Sequence, residues 1–271
     1  MAGMDKRPPV WNVVAQRKDE RGPLKMAEAE LTRSGDVAIL TLNRPDQLNA
    51  ITTAMIGLIE DALDTVEHDD CVGLVITGDG RAFCAGSDLK EQPGNFQDRV
   101  RRMHRLVLRM LRHPKVIAAG LNGLAYGGGL EIAMGCTFRV AAPGVKLSLP
   151  EVKLGVMPAY GGTQTLARLV GQAAALEMLL LGEPITAERG RELGLVTAIA
   201  EDPVATAVEL VRKASKYGQA AQQAMRRAVL EGMERPLEQG LDLEHRLISQ
   251  LAPDMAAVTN TFTTKIRGGT A

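Results

Sequence analysis

VIAAGLNGLAYGGGLE, residues 116–131, is the stretch on which the reading of the fold turns. Val116 to Leu121 is an unbroken apolar run of a length that suits a buried strand. Gly127, Gly128 and Gly129 follow, and Glu131 then stands on the first turn of what reads as a helix. Consecutive glycines cost backbone entropy, so they need a geometric reason such as positive φ or close backbone approach. Free N–H groups at a helix start can face an oxygen that becomes negative, and Glu131 would stand beside it. A plainer reading is also open at this point. Glu suits a helix N-terminus through the macrodipole, and glycines also serve as packing contacts.

Working outward, the same alternation repeats. Ala29–Ser34 and Val37–Leu42 around Gly35-Asp36 read as a hairpin. Thr52 or Thr53 caps a helix with apolar residues at Met55, Leu58, Ile59, Ala62, Leu63 and Val66. Val72–Thr77 reads as a buried parallel strand. Residues 98–112 read as a helix with an Arg-rich outer face, stopped by Pro114. After the helix at Glu131, Thr137–Ala141 is the next strand. Strand and helix alternate as in a βαβ fold. Beyond residue 160 the periodicity is almost wholly helical, with helices over 164–170, 173–181, 187–193, 205–216, 219–231, 237–251 and 255–265 and a short strand at Val196–Ile199. The expected organisation is an extension over 1–29, an α/β core over 30–200 and a helical region over 201–271. Its polar-apolar striping suits a subunit interface.

Composition removes several function classes. The 271 residues are long enough for a sizeable core. Lys+Arg and Asp+Glu both number 32, so bulk electrostatics does not support nucleic-acid binding. Aromatics make up only 3%, which disfavours a base-stacking surface. The apolar run from Val116 is too polar and glycine-rich for a membrane span. Residues 1–30, rich in Pro, Lys, Arg and Glu, do not read as a secretory leader. Cys71, Cys84 and Cys136 lack metal-ligand spacing and are expected to be reduced thiols in the cytoplasm. His68, His104, His113 and His245 sit at no ligand spacing, so neither a metal site nor Ser-His-Asp chemistry is expected. No dinucleotide or nucleoside triphosphate fingerprint is present.

Glycine-rich segments cluster instead after strands: GDGRAFCAGSDLK at 78–90, YGGGLE at 126–131 and LPEVKLGVMPAYGG at 149–162. Ligands of parallel sheets bind where such loops converge. Gly86-Ser87 is open to reading as an ordinary turn, and Glu151 as a solvated loop acid. Taken together, Glu131 and Glu151 suit a reaction that moves a proton and positions a water. Two glycine-adjacent N–H groups suit an oxyanion or enolate.

These segments resemble the enoyl-CoA hydratase/isomerase (crotonase) superfamily over roughly residues 30–267. The marks are NRPDQLNA at 43–50, RAFCAGSDLKE at 81–91, PKVIAAGLNGLAYGGGLEIAMGC at 114–136, LPEVKLGVMPAYGGTQTLARLVG at 149–171 and ITAERGRELGLV at 185–196. The resemblance implies an α/β spiral of ββα repeats with a helical C-terminal trimerisation region, assembled as a trimer or dimer of trimers. It implies backbone N–H groups of Ser87 and Gly128 as the oxyanion hole for an acyl-CoA thioester, and Glu131 and Glu151 as the catalytic pair. Ala85, Ser87, Asp88, Leu89, Lys90, Gly128, Ala159 and Lys265 match substrate and CoA positions. Coenzyme A enters as part of the substrate, with no separate cofactor, nucleic acid or membrane partner.

The implied reaction is syn addition of water across the 2,3 double bond of a 2-enoyl-CoA. The alternative is another acyl-CoA reaction of the superfamily: isomerisation, carnitinyl-CoA-type dehydration, or hydration of branched or aromatic acyl groups. Both glutamates support the first reading. This chain departs from the family pattern at Ala159, usually glycine, at Thr137, usually aspartate, and at Tyr126, commonly leucine. Ser87 stands where alanine is commoner, and its hydroxyl is expected to be incidental.

Overall fold

The computed structural model describes residues 28–91 and 94–251. An antiparallel hairpin opens the fold, β1 (Ala29–Ser34) and β2 (Val37–Leu42), turning at Gly35. Helix α1 (Thr53–His68) follows, with Thr52 as its cap: the Thr52 side chain accepts from Met55 N. The chain then repeats one unit. A long strand is followed by a three-residue strand and a helix: β3 (Gly73–Gly78), β4 (Ala82–Cys84), α2 (Phe96–Arg112), then β5 (Val116–Leu121), β6 (Leu124–Tyr126), α3 (Gly128–Gly135). The third turn is β7 (Phe138–Ala141), β8 (Lys146–Ser148) and a 3-10 turn at Pro150–Leu154, leading to α4 (Gly162–Val170). This is the expected spiral of ββα repeats. The short strands 82–84, 124–126 and 146–148 are additions to the sequence reading. Three residues between turns carry no readable alternation.

The long strands form a six-stranded sheet in the order β1-β2-β3-β5-β7-β10, where β10 is Ala198–Ile199. The short strands form a second sheet, β4-β6-β8-β9, where β9 is Ile185–Thr186. Helix α5 (Gln172–Leu181) precedes β9, and α6 (Ala187–Glu192) lies between β9 and β10. The β2, β3, β5 and β7 pairings are parallel, so their loops gather at one edge.

Both faces of the large sheet are covered, and alternate side chains show it. Leu74, Ile76, Ile117 and Ala119 enter the main core with Ile56, Ile59, Met103 and Leu106. Val75, Val116, Ala118 and Val140 pack on the other face with Ala207, Val208 and Val211. Those three residues belong to α7 (Pro203–Ser215). The sequence reading placed this helix in the C-terminal region, beyond residue 200. Its apolar face instead closes the sheet, and the first compact unit runs from Met1 to Lys216.

The second unit, Tyr217–Ala271, contains α8 (Gln219–Gly232) and α9 (Leu237–Leu251). The expected helix at 255–265 and most of the 1–29 extension lie outside the described residues. Among the described residues no helix is long and apolar enough to cross a membrane. The three cysteines are free and buried.

Candidate active site

Helix α3 is buried along its whole length, so Glu131 on its first turn is 2% exposed. The three preceding glycines each have a separate cause. Gly127 adopts φ +49, and a Cβ built on it would lie 2.9 Å from Glu151 Oε1. One on Gly128 would meet the Tyr160 ring at 2.9 Å, and one on Gly129 would overlap the Cys84 carbonyl. Gly128 and Gly129 thus answer to packing, while Gly127 makes room for the Glu151 carboxyl.

Two loops meet at this turn. Gly86 adopts φ +106, and the place a Cβ would take is 3.2 Å from Tyr126 O and 3.5 Å from Gly128 N. Ser87 forms a parallel bridge with Ile51. In that bridge Ile51 N donates to Gly86 O at 2.8 Å and Asp88 N donates to Ile51 O at 2.9 Å. Backbone groups alternate in direction along an extended strand, so Ser87 N–H points away from Ile51. Gly128 N–H heads α3, where first-turn donors have no intrahelical acceptor. The two donors expected to act together thus come from loops in contact.

The carboxylates are held differently. Glu131 Oε1 accepts from Tyr160 N at 2.8 Å and Gly162 N at 2.7 Å, the latter heading α4. Burial nevertheless pushes its pKa up to about 7, against those two N–H bonds and with the Glu151 charge adding to the rise. Glu151 sits on the 3-10 turn after Pro150. Its Oε2 is buried without a hydrogen-bond partner among the described residues, and burial raises its pKa too. A buried oxygen without a partner is uncommon in folded proteins, and the other oxygen of the same carboxyl, Oε1, is the one beside Gly127. Glu151 is thus no solvated loop acid.

The remaining predicted positions separate. Asp88 Oδ2 accepts from Arg44 at 2.8 Å and Oδ1 from Lys90 N at 2.9 Å, so this carboxylate braces its own loop. Ala85 N donates to Leu48 O at 2.9 Å. Leu89 is 82% exposed and Lys90 is exposed. Ala159 is half-buried against the core. Lys265 lies outside the described residues.

Three residues escaped the sequence reading. Asn49, fully buried at φ +56, donates to Asp79 O and Ala82 O at 2.9 and 2.8 Å and accepts from Arg44 N at 2.8 Å. It ties NRPDQLNA to the 78–90 loop. Tyr160 is 4% exposed, and its hydroxyl lies 2.7 Å from Ser87 Oγ. Arg99 belongs to the helix expected to have an Arg-rich outer face, yet it is buried and its Nε donates to Tyr160 Oη at 2.8 Å. Its position was legible: Arg99 stands four residues before Met103 and seven before Leu106, on the apolar stripe. Among the described residues, no group of His, Cys, Asp and Glu is arranged to hold a metal ion.

The enoyl-CoA hydratase/isomerase family profile matches residues 32–259. The 2,3-dehydroadipyl-CoA hydratase of Escherichia coli (strain K12) is 35% identical over 234 residues, covering 84% of this chain and 91% of the relative. The (E)-benzylidenesuccinyl-CoA hydratase of Thauera aromatica is 38% identical over 223 residues, covering 79% and 86%. A crystal structure of an enoyl-CoA hydratase from Bacillus anthracis matches with a TM-score of 0.81 at 29% identity, covering 88% of this chain and 96% of that one. With the profile spanning all three turns of the spiral and the paired carboxylates at its glycine turn, the chain belongs to the enoyl-CoA hydratase/isomerase family.

Proposed function

We propose that this enzyme hydrates 2-enoyl-CoA thioesters at the Glu131–Glu151 pair. The observation that supports the reading is that two carboxyls flank one glycine turn: Glu131 on the first turn of α3, and Glu151 with its Oε1 2.9 Å from the place a Cβ on Gly127 would take. Ser87 N–H and Gly128 N–H receive the thioester oxygen. Polarisation of that carbonyl makes the β-carbon electrophilic and stabilises an enolate at the oxygen. Water held between the carboxyl groups adds its oxygen to the β-carbon and gives a proton to one carboxylate. The other carboxyl delivers a proton to the α-carbon. Hydroxyl and hydrogen are both accounted for: the charge of the pair is unchanged, and its one proton, now on the other carboxyl, returns by transfer within the pair or by exchange with solvent.

Burial suits this division of labour, since raising both carboxyl pKa values lets one group hold a proton near neutral pH while its neighbour is ionised. The mechanism needs no cofactor beyond the CoA of the substrate. Residues 85–90 and Ala159 border the CoA and acyl parts. Two relatives named as hydratases support water addition over isomerisation.

Assembly as a trimer or dimer of trimers fits the apolar surface. Leu154, Val156, Met157 and Leu180 are 59–66% exposed on the first unit. Met225, Met233 and Leu237 are 61–75% exposed on the second. Sites of this kind cover partner subunits. Light scattering coupled to size exclusion tests it, and a monomer at micromolar concentration would refute it. A reducing cytoplasm suits the three buried thiols.

The test of activity is loss of enoyl absorbance with crotonyl-CoA and identification of 3-hydroxybutyryl-CoA. Formation of a shifted double bond with no hydroxyacyl product would favour the isomerase reading instead.

A further inference from the structure

Arg99, Tyr160 and Ser87 form a chain of hydrogen bonds whose direction can be worked out from their chemistry. Arg99 carries only donors. Its three nitrogens are all engaged: Nε with Tyr160 Oη at 2.8 Å, one terminal nitrogen with Glu91 at 2.5 Å and Thr53 Oγ1 at 3.3 Å, the other with Ile51 O at 2.7 Å. Tyr160 Oη therefore accepts from Arg99. Its remaining contact is Ser87 Oγ at 2.7 Å. Were Ser87 the donor in that bond, the Tyr160 hydroxyl hydrogen would be left unpaired on a side chain only 4% exposed, a costly arrangement. Tyr160 thus donates to Ser87, and the Ser87 O–H is turned outward. Ser87 is half-buried rather than buried, so its hydrogen is the one free to meet a ligand.

The bridge to Ile51 places that hydroxyl relative to the thioester. Gly86 O and Asp88 N lie in the plane shared with Ile51. Ser87 N–H lies in the same plane on the opposite edge, and a strand side chain stands roughly perpendicular to it. The hydroxyl therefore flanks the thioester oxygen's donor rather than doubling it, on the side closed by the Tyr160 ring over Gly128. A guanidinium at the far end polarises the chain and strengthens its last donor.

Resting on the reading of Ser87 N–H as a thioester donor, we infer that the Ser87 hydroxyl determines specificity, selecting 2-enoyl-CoA thioesters whose acyl group carries an acceptor oxygen close to the double bond, with Tyr160 and Arg99 as the residues that position it. The expected incidental role of this hydroxyl is thereby replaced by a directed one.

The experiment compares kcat/KM for glutaconyl-CoA and 4-hydroxycrotonyl-CoA with that for 2-pentenoyl-CoA, in the intact protein and in Ser87→Ala and Tyr160→Phe. The expected result is a wild-type preference for the two oxygen-bearing thioesters. That ratio falls about 10-fold in Ser87→Ala, the size of one lost hydrogen bond to a positioned acceptor, and by a smaller factor in Tyr160→Phe. A ratio unchanged in Ser87→Ala overturns the inference. So does an equal loss on all three thioesters, which would put the hydroxyl on the thioester itself. Tyr160→Phe keeps the ring over Gly128, and a ratio that stays at the wild-type value there refutes the positioning role. Turnover of none of the three thioesters by the wild-type protein would overturn the hydratase reading itself, and the inference with it.

Discussion

Tyr160 donates its backbone N–H to Glu131 Oε1 at 2.8 Å, so the loop that carries the chain on from Glu151 also aims the other carboxylate. The same residue lays its ring on Gly128 and its hydroxyl on Ser87. One residue thus touches the acid through its backbone and the glycine turn and the neighbouring loop through its side chain, which makes 157–162 the segment that sets the shape of the site.

Replacing either carboxyl by its amide tests the pair with little change of volume. Glu131→Gln and Glu151→Gln are each expected to lower kcat for enoyl-CoA hydration by about 10²–10⁴-fold. The double variant should lose little more than the worse single one, because the two groups act in one step. Steady-state kinetics on the folded variants checks this, and full activity in either single variant removes that residue from the mechanism.

Stability should depend on pH through Glu131. Its folded pKa of about 7 lies above the ordinary value of 4.5, chiefly because the group is buried. The folded chain therefore binds this proton more tightly than the unfolded one. The stability it contributes is complete below about pH 4.5 and is lost as pH rises through about 7. Glu151 is raised by burial as well and acts in the same sense. Relative to wild type, Glu131→Gln should gain about 3 kcal/mol of unfolding free energy across that window. Urea titrations at a series of pH values measure it, and parallel curves for the two proteins would contradict the shift.

Gly127→Ala addresses the turn itself. The substitution meets an unfavourable φ of +49 and places a methyl 2.9 Å from Glu151 Oε1. A destabilisation of about 1–3 kcal/mol is expected from the backbone strain, together with a fall in kcat as Glu151 is pushed aside. Thermal melts and kinetics on one preparation separate the two effects. A variant with wild-type kcat would show that Glu151 need not stay at this turn.

Asn49→Ala takes a partner from the carbonyls of Asp79 and Ala82 and from the N–H of Arg44, although Ala82 O keeps a bond from Asn122 Nδ2 at 3.3 Å. An unpaired buried group costs about 1–3 kcal/mol, so roughly 2 kcal/mol in total is expected for these partly buried groups. Denaturant unfolding reads this directly. A loss below the error of the extrapolation would mean that the brace is redundant with the Arg44–Asp88 pair.

What the amino-acid sequence determined by itself was everything carried by local pattern. Apolar runs such as Val116–Leu121 and the cap at Thr52 mark their elements because strand and helix periods act over a few residues. The glycine turns and both glutamates were legible for the same reason. The three-residue strands of the smaller sheet were not, since their partners lie dozens of residues away and pairing alone defines them. Only the tertiary structure decided that Arg99, 61 residues from Tyr160, turns inward to meet its hydroxyl, and that Asp88 is engaged by Arg44. Hydrogen-bond direction in a buried chain depends on every partner at once, and those partners come together only when the spiral closes.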